Sequence, residues 1–168
     1  MKKLSKLAAV LTLISSSMFA LAAEPDYVTV EMEIDINKSA VEVWAAVGDY
    51  CAIAEWGGLA CEITSGEGDM GTVRVLTAGP RKIIEILVAQ TDLSYGYTQP
   101  TTEGQFYNLY HGFMEAKSVT ANTSKMLYTL VFDASNMENE EAVAADMARR
   151  RTQFEGMLVN MKNIAEAR

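Results

Sequence analysis

Six short β segments follow one another through the middle of the chain, and this succession constrains the fold more than any other feature. The segments between the predicted strands are three to seven residues long and rich in Gly, Pro, Asn and Asp, which favour turns. Connections this short join antiparallel neighbours. The sequence therefore predicts an antiparallel meander with strands at residues 61–64, 72–77, 82–90, 94–99, 106–119 and 124–132.

A further strand and two short helices are predicted before the meander. Strict apolar and polar alternation over residues 27–36 is typical of a half-buried strand. Ser39 and Glu42 have the spacing of a capping box, which predicts a helix start. We expect Asp49 to cap a second short helix that runs to Trp56, where Gly57 and Gly58 end it.

The chain ends in a long predicted helix over about residues 138–167, capped by Ser135. Its apolar stripe has the spacing of one helical face and includes Val143, Met147, Phe154, Met157 or Leu158, Met161 and Ile164. Arg150 lies in the middle of this stripe. The element order predicts an α+β fold, because a sheet of this kind must bury its inner face against the final helix.

The amino terminus has the pattern of a secretory signal peptide. Lys2, Lys3 and Lys6 precede an apolar run of about 15 residues that ends in Ala20-Leu21-Ala22, a small-x-small cleavage site. That run is shorter than the roughly 20 residues a spanning helix needs, so no stable membrane insertion is expected. We expect a signal peptide at residues 1–22, one domain at residues 23–168, and a periplasmic or secreted protein.

The sequence has more acidic than basic side chains, which argues against nucleic acid as a partner. The formal net charge is −8, and loss of the three leader lysines would change it to −11. The single basic cluster, Arg149-Arg150-Arg151, is too short to neutralise a phosphate backbone against this field. Anionic membrane surfaces are disfavoured for the same reason.

Cys51 and Cys61 are the only two cysteines, and in an exported protein such a pair usually forms a disulfide. Two free thiols are the alternative. A zinc site is not expected, because zinc takes four nitrogen or sulfur ligands and His111, the single histidine, lies far away in the sequence. The sequence contains no haem, iron–sulfur, phosphate-loop or dinucleotide motif, so we expect no cofactor and no metal.

Two segments carry a resemblance to a known family. Residues 43–56, with Trp44 and Trp56, resemble the helix pair of exported bacterial START-like proteins of the SRPBCC superfamily, which are often described as polyketide cyclase/dehydrase-like. Gly71-Thr72-Val73-Arg74, with Glu85 in the next strand, is similar to segments of that group and of the plant abscisic-acid receptors. The resemblance implies a helix-grip fold, in which a seven-stranded antiparallel sheet wraps around the long terminal helix and leaves a cavity.

The resemblance also implies where a small hydrophobic ligand would bind. The residues expected at the pocket are Glu85, Tyr110, Gly112, Tyr128 and Leu130 from the strands and Met147, Arg150 and Phe154 from the helix. Strand parity supports the first group, since residues two apart share a face. The loop expected to close over the cavity is Ala78-Gly79-Pro80, with Gly104 in the loop opposite.

Glu85 and Arg150 are the charged residues of this set, and we expect them to pair inside the cavity or to contact a ligand. The alternative for Arg150 is an exposed position at the rim of the cavity. Parity turns His111 toward the outer face of the sheet, where apolar Tyr107, Leu109 and Phe113 suggest a homodimer or partner surface. The leading hypothesis is a binding protein for a small apolar or aromatic molecule. The alternatives are a cyclase, dehydratase or lyase that uses Glu85 and a tyrosine, and an accessory protein to a periplasmic redox enzyme.

Overall fold

The computed structural model describes residues 24–100 and 109–168. The expected signal peptide at residues 1–22, Gly104 and Tyr107 lie outside these ranges, as does the start of the predicted strand at residues 106–119. None of the helices in the described ranges has the length and apolar character needed to cross a bilayer.

The described chain forms one antiparallel sheet of seven strands and three helices, which confirms the expected helix-grip architecture. The sheet order is β1-β7-β6-β5-β4-β3-β2, so the chain folds as a meander from β2 to β7, and β1 closes against β7. The elements, in chain order, are β1 Tyr27–Ile36, α1 Ala40–Val47, α2 Ile53–Trp56, β2 Ala60–Ser65, β3 Val73–Ala78, β4 Arg81–Thr91, β5 Ser94–Thr98, β6 Tyr110–Ser118, β7 Ser124–Asp133 and α3 Glu140–Ala167.

Local hydrogen bonds explain where the helices begin. The capping box of α1 is present, with the Ser39 hydroxyl accepting from the Glu42 amide and the Glu42 carboxylate accepting from the Ser39 amide. The expected cap of α3 by Ser135 is wrong: Asn139 caps it, because its side-chain oxygen accepts the Ala142 amide at 2.9 Å. Ser135 belongs to the preceding turn, where its amide donates to Asp133.

The second short helix also begins later than expected. Asp49 does not cap it, because its carboxylate accepts the Cys51 amide within the preceding turn at 2.8 Å. The helix starts after Ala52, which provides no side-chain cap. A side-chain bond ties this short element to α3, since the Asn160 amide group donates to the Trp56 carbonyl at 2.9 Å.

The long helix α3 lies on the inner face of the sheet, and its buried face differs in part from the predicted stripe. Its second half buries apolar side chains, as the periodicity indicated, whereas Val143, Met147 and Ile164 are only half-buried. The full buried set is Asp146, Arg150, Phe154, Met157, Leu158, Met161 and Ala165. The first half of α3 therefore faces the sheet with a charged pair.

The predicted disulfide is confirmed. Cys51 precedes α2 and Cys61 lies in β2, and the two are joined with a Cα–Cα distance of 5.6 Å. The ten-residue separation encloses α2 entirely. The disulfide therefore holds α2 close to β2, the first strand of the meander.

Candidate functional site

A cavity of about 70 Å³ lies between the inner face of the sheet and α3. Its aromatic lining consists of Tyr97, Tyr110, Tyr128 and Phe154. Its polar lining consists of Arg81, Glu85, Gln99, Arg149, Arg150 and Gln153. Aromatic walls with a few fixed polar groups are the composition of a small-molecule site.

The structure brings together five of the eight expected pocket residues, namely Glu85, Tyr110, Tyr128, Arg150 and Phe154. The other three lie elsewhere in the described part of the chain. Gly112 and Leu130 are buried cross-strand neighbours on β6 and β7. Met147 lines a separate cavity of about 320 Å³ near the start of α3, together with Met137 and Val143.

Glu85 pairs with Arg74, so the expected pairing of Glu85 with Arg150 is wrong. Arg74 Nε donates to Glu85 Oε2 at 2.8 Å, and Arg74 Nη2 lies 2.6 Å from the same oxygen. Gln99 donates to the second carboxylate oxygen, Oε1, at 3.1 Å. The reason is the register of β3 and β4, which places Arg74 directly opposite Glu85 on the inner face. Both oxygens of this buried carboxylate are thereby engaged.

Arg74 is fully buried and is held by more than its counter-ion. It donates to the backbone carbonyl of Tyr50, and its guanidinium lies over the Tyr50 ring at 4.1 Å and near the Tyr97 ring at 5.3 Å. Burial lowers the pKa of Arg74, but the interactions with Tyr95 and Glu85 outweigh it and raise the pKa above its usual value. Arg74 therefore stays charged and fixes Glu85 as its partner.

Arg150 belongs to a second, separate charged group. Arg150 Nε donates to Asp146 Oδ2 at 2.9 Å, one helical turn earlier, and Nη1 donates to the Tyr110 hydroxyl at 3.0 Å. The guanidinium also lies 4.8 Å from the centre of the Tyr110 ring. Arg149 contacts the same Asp146 carboxylate. The Asp146 carboxylate on α3 therefore contacts two arginines, and both of these arginines line the cavity.

Two hydrogen-bonded tyrosines, Tyr97 and Tyr128, line the cavity. The hydroxyls of Tyr97 and Tyr128 are hydrogen-bonded at 2.9 Å. Burial raises the pKa of both phenols well above the usual value of 10. Each therefore remains a neutral phenol at physiological pH and is unsuited to act as a base.

Gly112 positions this tyrosine pair. The Tyr97 ring lies against the Gly112 backbone, and a Cβ on Gly112 would overlap the ring atoms Cζ and Cε1 and the hydroxyl oxygen Oη. We expect Gly112→Ala to displace Tyr97, to break its bond to Tyr128 and to cost about 1–3 kcal/mol of overpacking. Chemical denaturation measures the loss. The double variant Gly112→Ala/Tyr97→Leu should recover part of it, and a single variant as stable as wild type would contradict this packing.

Several residues that line the cavity were not expected from the sequence, namely Arg81, Tyr97, Gln99, Arg149 and Gln153. The pairing of Arg74 with Glu85 was not expected either. The sequence did contain a signal for the pairing of Arg74 with Glu85. A two-residue turn at Gly79-Pro80 pairs Ala78 with Arg81, and counting four residues outward along each strand pairs Arg74 with Glu85. Gln99 and Gln153 had no comparable signal, because single polar residues near a strand end or on a helix are common on solvent-facing surfaces.

On the outer face of the sheet, His111 is half-buried and alternates with the inward-facing Tyr110 and Gly112. Phe113 is 38% exposed, and Leu109 is half-buried. This placement agrees with the expected parity and keeps His111 out of the cavity lining in the described residues. A homodimer or partner surface at this face stays a prediction.

The sequence matches one family model over most of its length. The model of the family described as "polyketide cyclase / dehydrase and lipid transport" matches residues 27–166, nearly all of the described domain. The chain belongs to this family. The match confirms the resemblance to the SRPBCC superfamily, and it spans every element from β1 to α3. No curated protein matches the sequence.

Solved structures share the fold of this polyketide cyclase/dehydrase family member at low sequence identity. The ZhuI aromatase/cyclase from Streptomyces sp. R1128 has a TM-score of 0.66 at 17% identity, covering 85% of this chain and 96% of its own. XoxI from Bacillus cereus has a TM-score of 0.64 at 20% identity, covering 83% and 96%. Ara h 8.0201 has a TM-score of 0.62 at 17% identity, covering 85% and 100%. At these identities the likeness supports the Bet v 1-like helix-grip fold alone.

Proposed function

We propose that this protein binds a small molecule with an apolar or aromatic body in the cavity between the sheet and α3. One observation carries the proposal: Tyr97, Tyr110, Tyr128 and Phe154 line a space that also holds fixed hydrogen-bonding groups. Membership of a family associated with cyclase activity and lipid transport supports it. At about 70 Å³ the cavity is smaller than the roughly 300–1,000 Å³ typical of ligand sites, so binding requires it to widen.

The geometry favours binding over acid–base catalysis by Glu85 and a tyrosine. A general base needs a free lone pair within reach of the substrate proton. Both oxygens of Glu85 accept hydrogen bonds from the protein, and the buried phenols of Tyr97 and Tyr128 have raised pKa values. Catalysis by Glu85 would have to use the remaining lone pair of Oε1, beside the Gln99 donor, in a carboxylate that Arg74 already neutralises.

The turn between β3 and β4 is the proposed gate. Ala78, Gly79 and Pro80 are exposed, and Gly79 has a φ of 59°, a conformation that glycine adopts readily. The next residue, Arg81, lines the cavity. A small movement of this turn would therefore move a cavity wall and admit a ligand.

We also propose that the protein acts outside the cytoplasm, in the periplasm or after secretion. The pattern of residues 1–22 and the Cys51–Cys61 disulfide support this location, because disulfides persist in oxidising compartments. Fractionation of the native host, followed by mass spectrometry of the mature amino terminus, tests it. A chain recovered from the cytoplasm with residues 1–22 intact would contradict it.

Titration with the neutral fluorescent probe N-phenyl-1-naphthylamine tests the proposed function. We expect saturable binding of one probe per chain, together with slower hydrogen exchange at Ala78 to Arg81. Met157→Gln places an amide in the cavity wall and should weaken binding, whereas the matched control Met147→Gln changes the separate cavity and should not. Absence of binding, or binding that responds to Met147 instead, would overturn the proposal.

A further inference from the structure

Two buried tyrosine hydroxyls, those of Tyr50 and Tyr95, have no hydrogen-bond partner among the described residues. Tyr50 lies between α1 and α2 and Tyr95 lies in β5, and the two are 8% and 2% exposed. Ser124 Oγ, at the start of β7, and Arg74 Nη2 are further buried atoms of this kind, but Arg74 Nη2 already contacts the Glu85 carboxylate. A buried hydroxyl without a partner costs free energy, so the two phenols require an explanation.

The two phenols lie next to the cavity wall. Tyr97 lines the cavity, and Tyr95, two residues earlier on the same face of β5, has its ring centre 6.5 Å from that of Tyr97. The rings of Tyr50 and Tyr95 are in edge contact at 5.3 Å. The Arg74 guanidinium lies 4.1 Å from the Tyr50 ring centre and 5.6 Å from the Tyr95 ring centre. Because Arg74 also holds Glu85, which lines the cavity, the phenols and the cavity border the same ion pair.

The described surroundings provide no acceptor for the two phenol protons. Burial raises the pKa of Tyr50 and of Tyr95, and Arg74 offsets this rise only in part, so both phenols keep their protons at physiological pH. A guanidinium has no acceptor lone pair, so Arg74 cannot take either proton. The Glu85 carboxylate accepts from Arg74 and Gln99, and neither phenol is hydrogen-bonded to it. An oxygen atom that reached this place would therefore meet two unused O–H donors.

We propose that Tyr50 and Tyr95 form an inner polar subsite of the cavity, which takes an uncharged oxygen acceptor of the bound molecule. This inference rests on the proposed binding function and names two residues that determine which molecules bind. An uncharged acceptor is favoured over an anion, because Glu85 already balances the charge of Arg74 and a further buried anion would have no counter-ion there. Tyr97 lines the cavity and contacts Tyr95, so displacement of its ring would widen the cavity toward the subsite.

Removal of the hydroxyls alone gives a test that needs no ligand. Tyr50→Phe and Tyr95→Phe keep the rings and remove the unpartnered hydroxyls, so the urea midpoint of the unliganded protein should rise or stay the same. Tyr128→Phe is the contrasting variant and should lower the midpoint, because its hydroxyl is bonded to Tyr97. Tyr27→Phe is the matched surface control, at 60% exposure, and should have no effect. A lower midpoint for both Tyr50→Phe and Tyr95→Phe would show that buried water already satisfies these phenols, and the inference would be overturned.

Two competitors of nearly equal shape, 2-acetylnaphthalene and 2-isopropenylnaphthalene, test the subsite in the bound state. They differ in one group, a carbonyl oxygen in place of a methylene carbon. Each displaces bound N-phenyl-1-naphthylamine, and the measured quantity is the ratio of the ketone affinity to the alkene affinity. Effects of a substitution on both compounds cancel in this ratio. We expect the ratio to fall about threefold to tenfold in Tyr50→Phe and in Tyr95→Phe, as loss of one hydrogen bond produces, and to stay at the wild-type value in Tyr27→Phe.

The outcomes distinguish the inference from the proposed function. If both compounds bind but the ratio is the same in wild type and in the Tyr50→Phe and Tyr95→Phe variants, binding in the cavity stands and the subsite is wrong. If Tyr27→Phe lowers the ratio as much, the buried phenols are not its source and the inference also fails. If neither the probe nor either naphthalene compound binds, the proposed function is wrong and the inference falls with it.

Discussion

Removing either partner of the Arg74–Glu85 pair alone is expected to destabilise the fold by about 3–5 kcal/mol, because the charge that remains is buried without its counter-ion. Both side chains are buried, at 0% and 3% exposure. Arg74→Met leaves the carboxylate with Gln99 as its remaining described hydrogen-bond donor, and Glu85→Leu leaves a buried guanidinium without a negative partner. In both variants a buried charge loses most of the electrostatic interactions that offset its desolvation.

The double variant Arg74→Met/Glu85→Leu should recover much of that loss, because apolar side chains of similar volume remove both desolvation penalties together. Urea denaturation of the two single variants and the double variant gives the interaction free energy as a double-mutant cycle. The exposed pair of Lys125 and Glu33 is the control, and Glu33→Gln should leave the denaturation midpoint unchanged. Additive effects of the two buried substitutions would show that the pair does not form.

Loss of the Cys51–Cys61 disulfide is the second large effect that we expect. For a loop of ten residues the chain-entropy model gives about 2.7 kcal/mol. The loop contains α2, and Ile53 and Leu59 within it line the cavity. The variant Cys51→Ala/Cys61→Ala should therefore unfold at lower temperature, by roughly 5–10 °C for a domain of this size, and should also bind the naphthylamine probe more weakly.

Dithiothreitol provides the internal control for this prediction. The reductant should lower the melting temperature of the wild-type protein and leave the double alanine variant unchanged, because the variant has no bridge to lose. Under denaturing, non-reducing conditions a thiol reagent should label neither cysteine of the wild-type protein. Labelling of two thiols in protein isolated from its native host would contradict the disulfide.

Much of the fold could be predicted because its signals are local in sequence. Alternation over residues 27–36 coincides with β1, and the capping box of Ser39 and Glu42 forms as expected. Turn residues separate the strands of the meander, so their antiparallel order follows from connections too short for a crossover. The start of α3 was displaced from the predicted one, because Ser135 and Asn139 are both acceptable caps and the choice depends on the turn before the helix.

The sequence predicted part of the membership of the candidate site, but not the pairing of its charges. Parity placed Glu85, Tyr110 and Tyr128 on the inner face, since side chains alternate along a strand whatever the rest of the fold does. Which cation meets Glu85 depends on two elements together. The strand opposite supplies Arg74 through its register, while Arg150 on α3 is held by Asp146 one turn away.

The sequence by itself determined the order of the elements, the antiparallel meander, the cysteine pair and the inward faces of the strands, because each follows from spacing along a few neighbouring residues. Only the tertiary structure decided the partner of each buried charge, the separation of Met147 from the cavity and the close contact of Gly112 with Tyr97. These depend on the rotation of α3 and on the curvature of the sheet. Both result from packing residues far apart in the chain, so no local pattern specifies them.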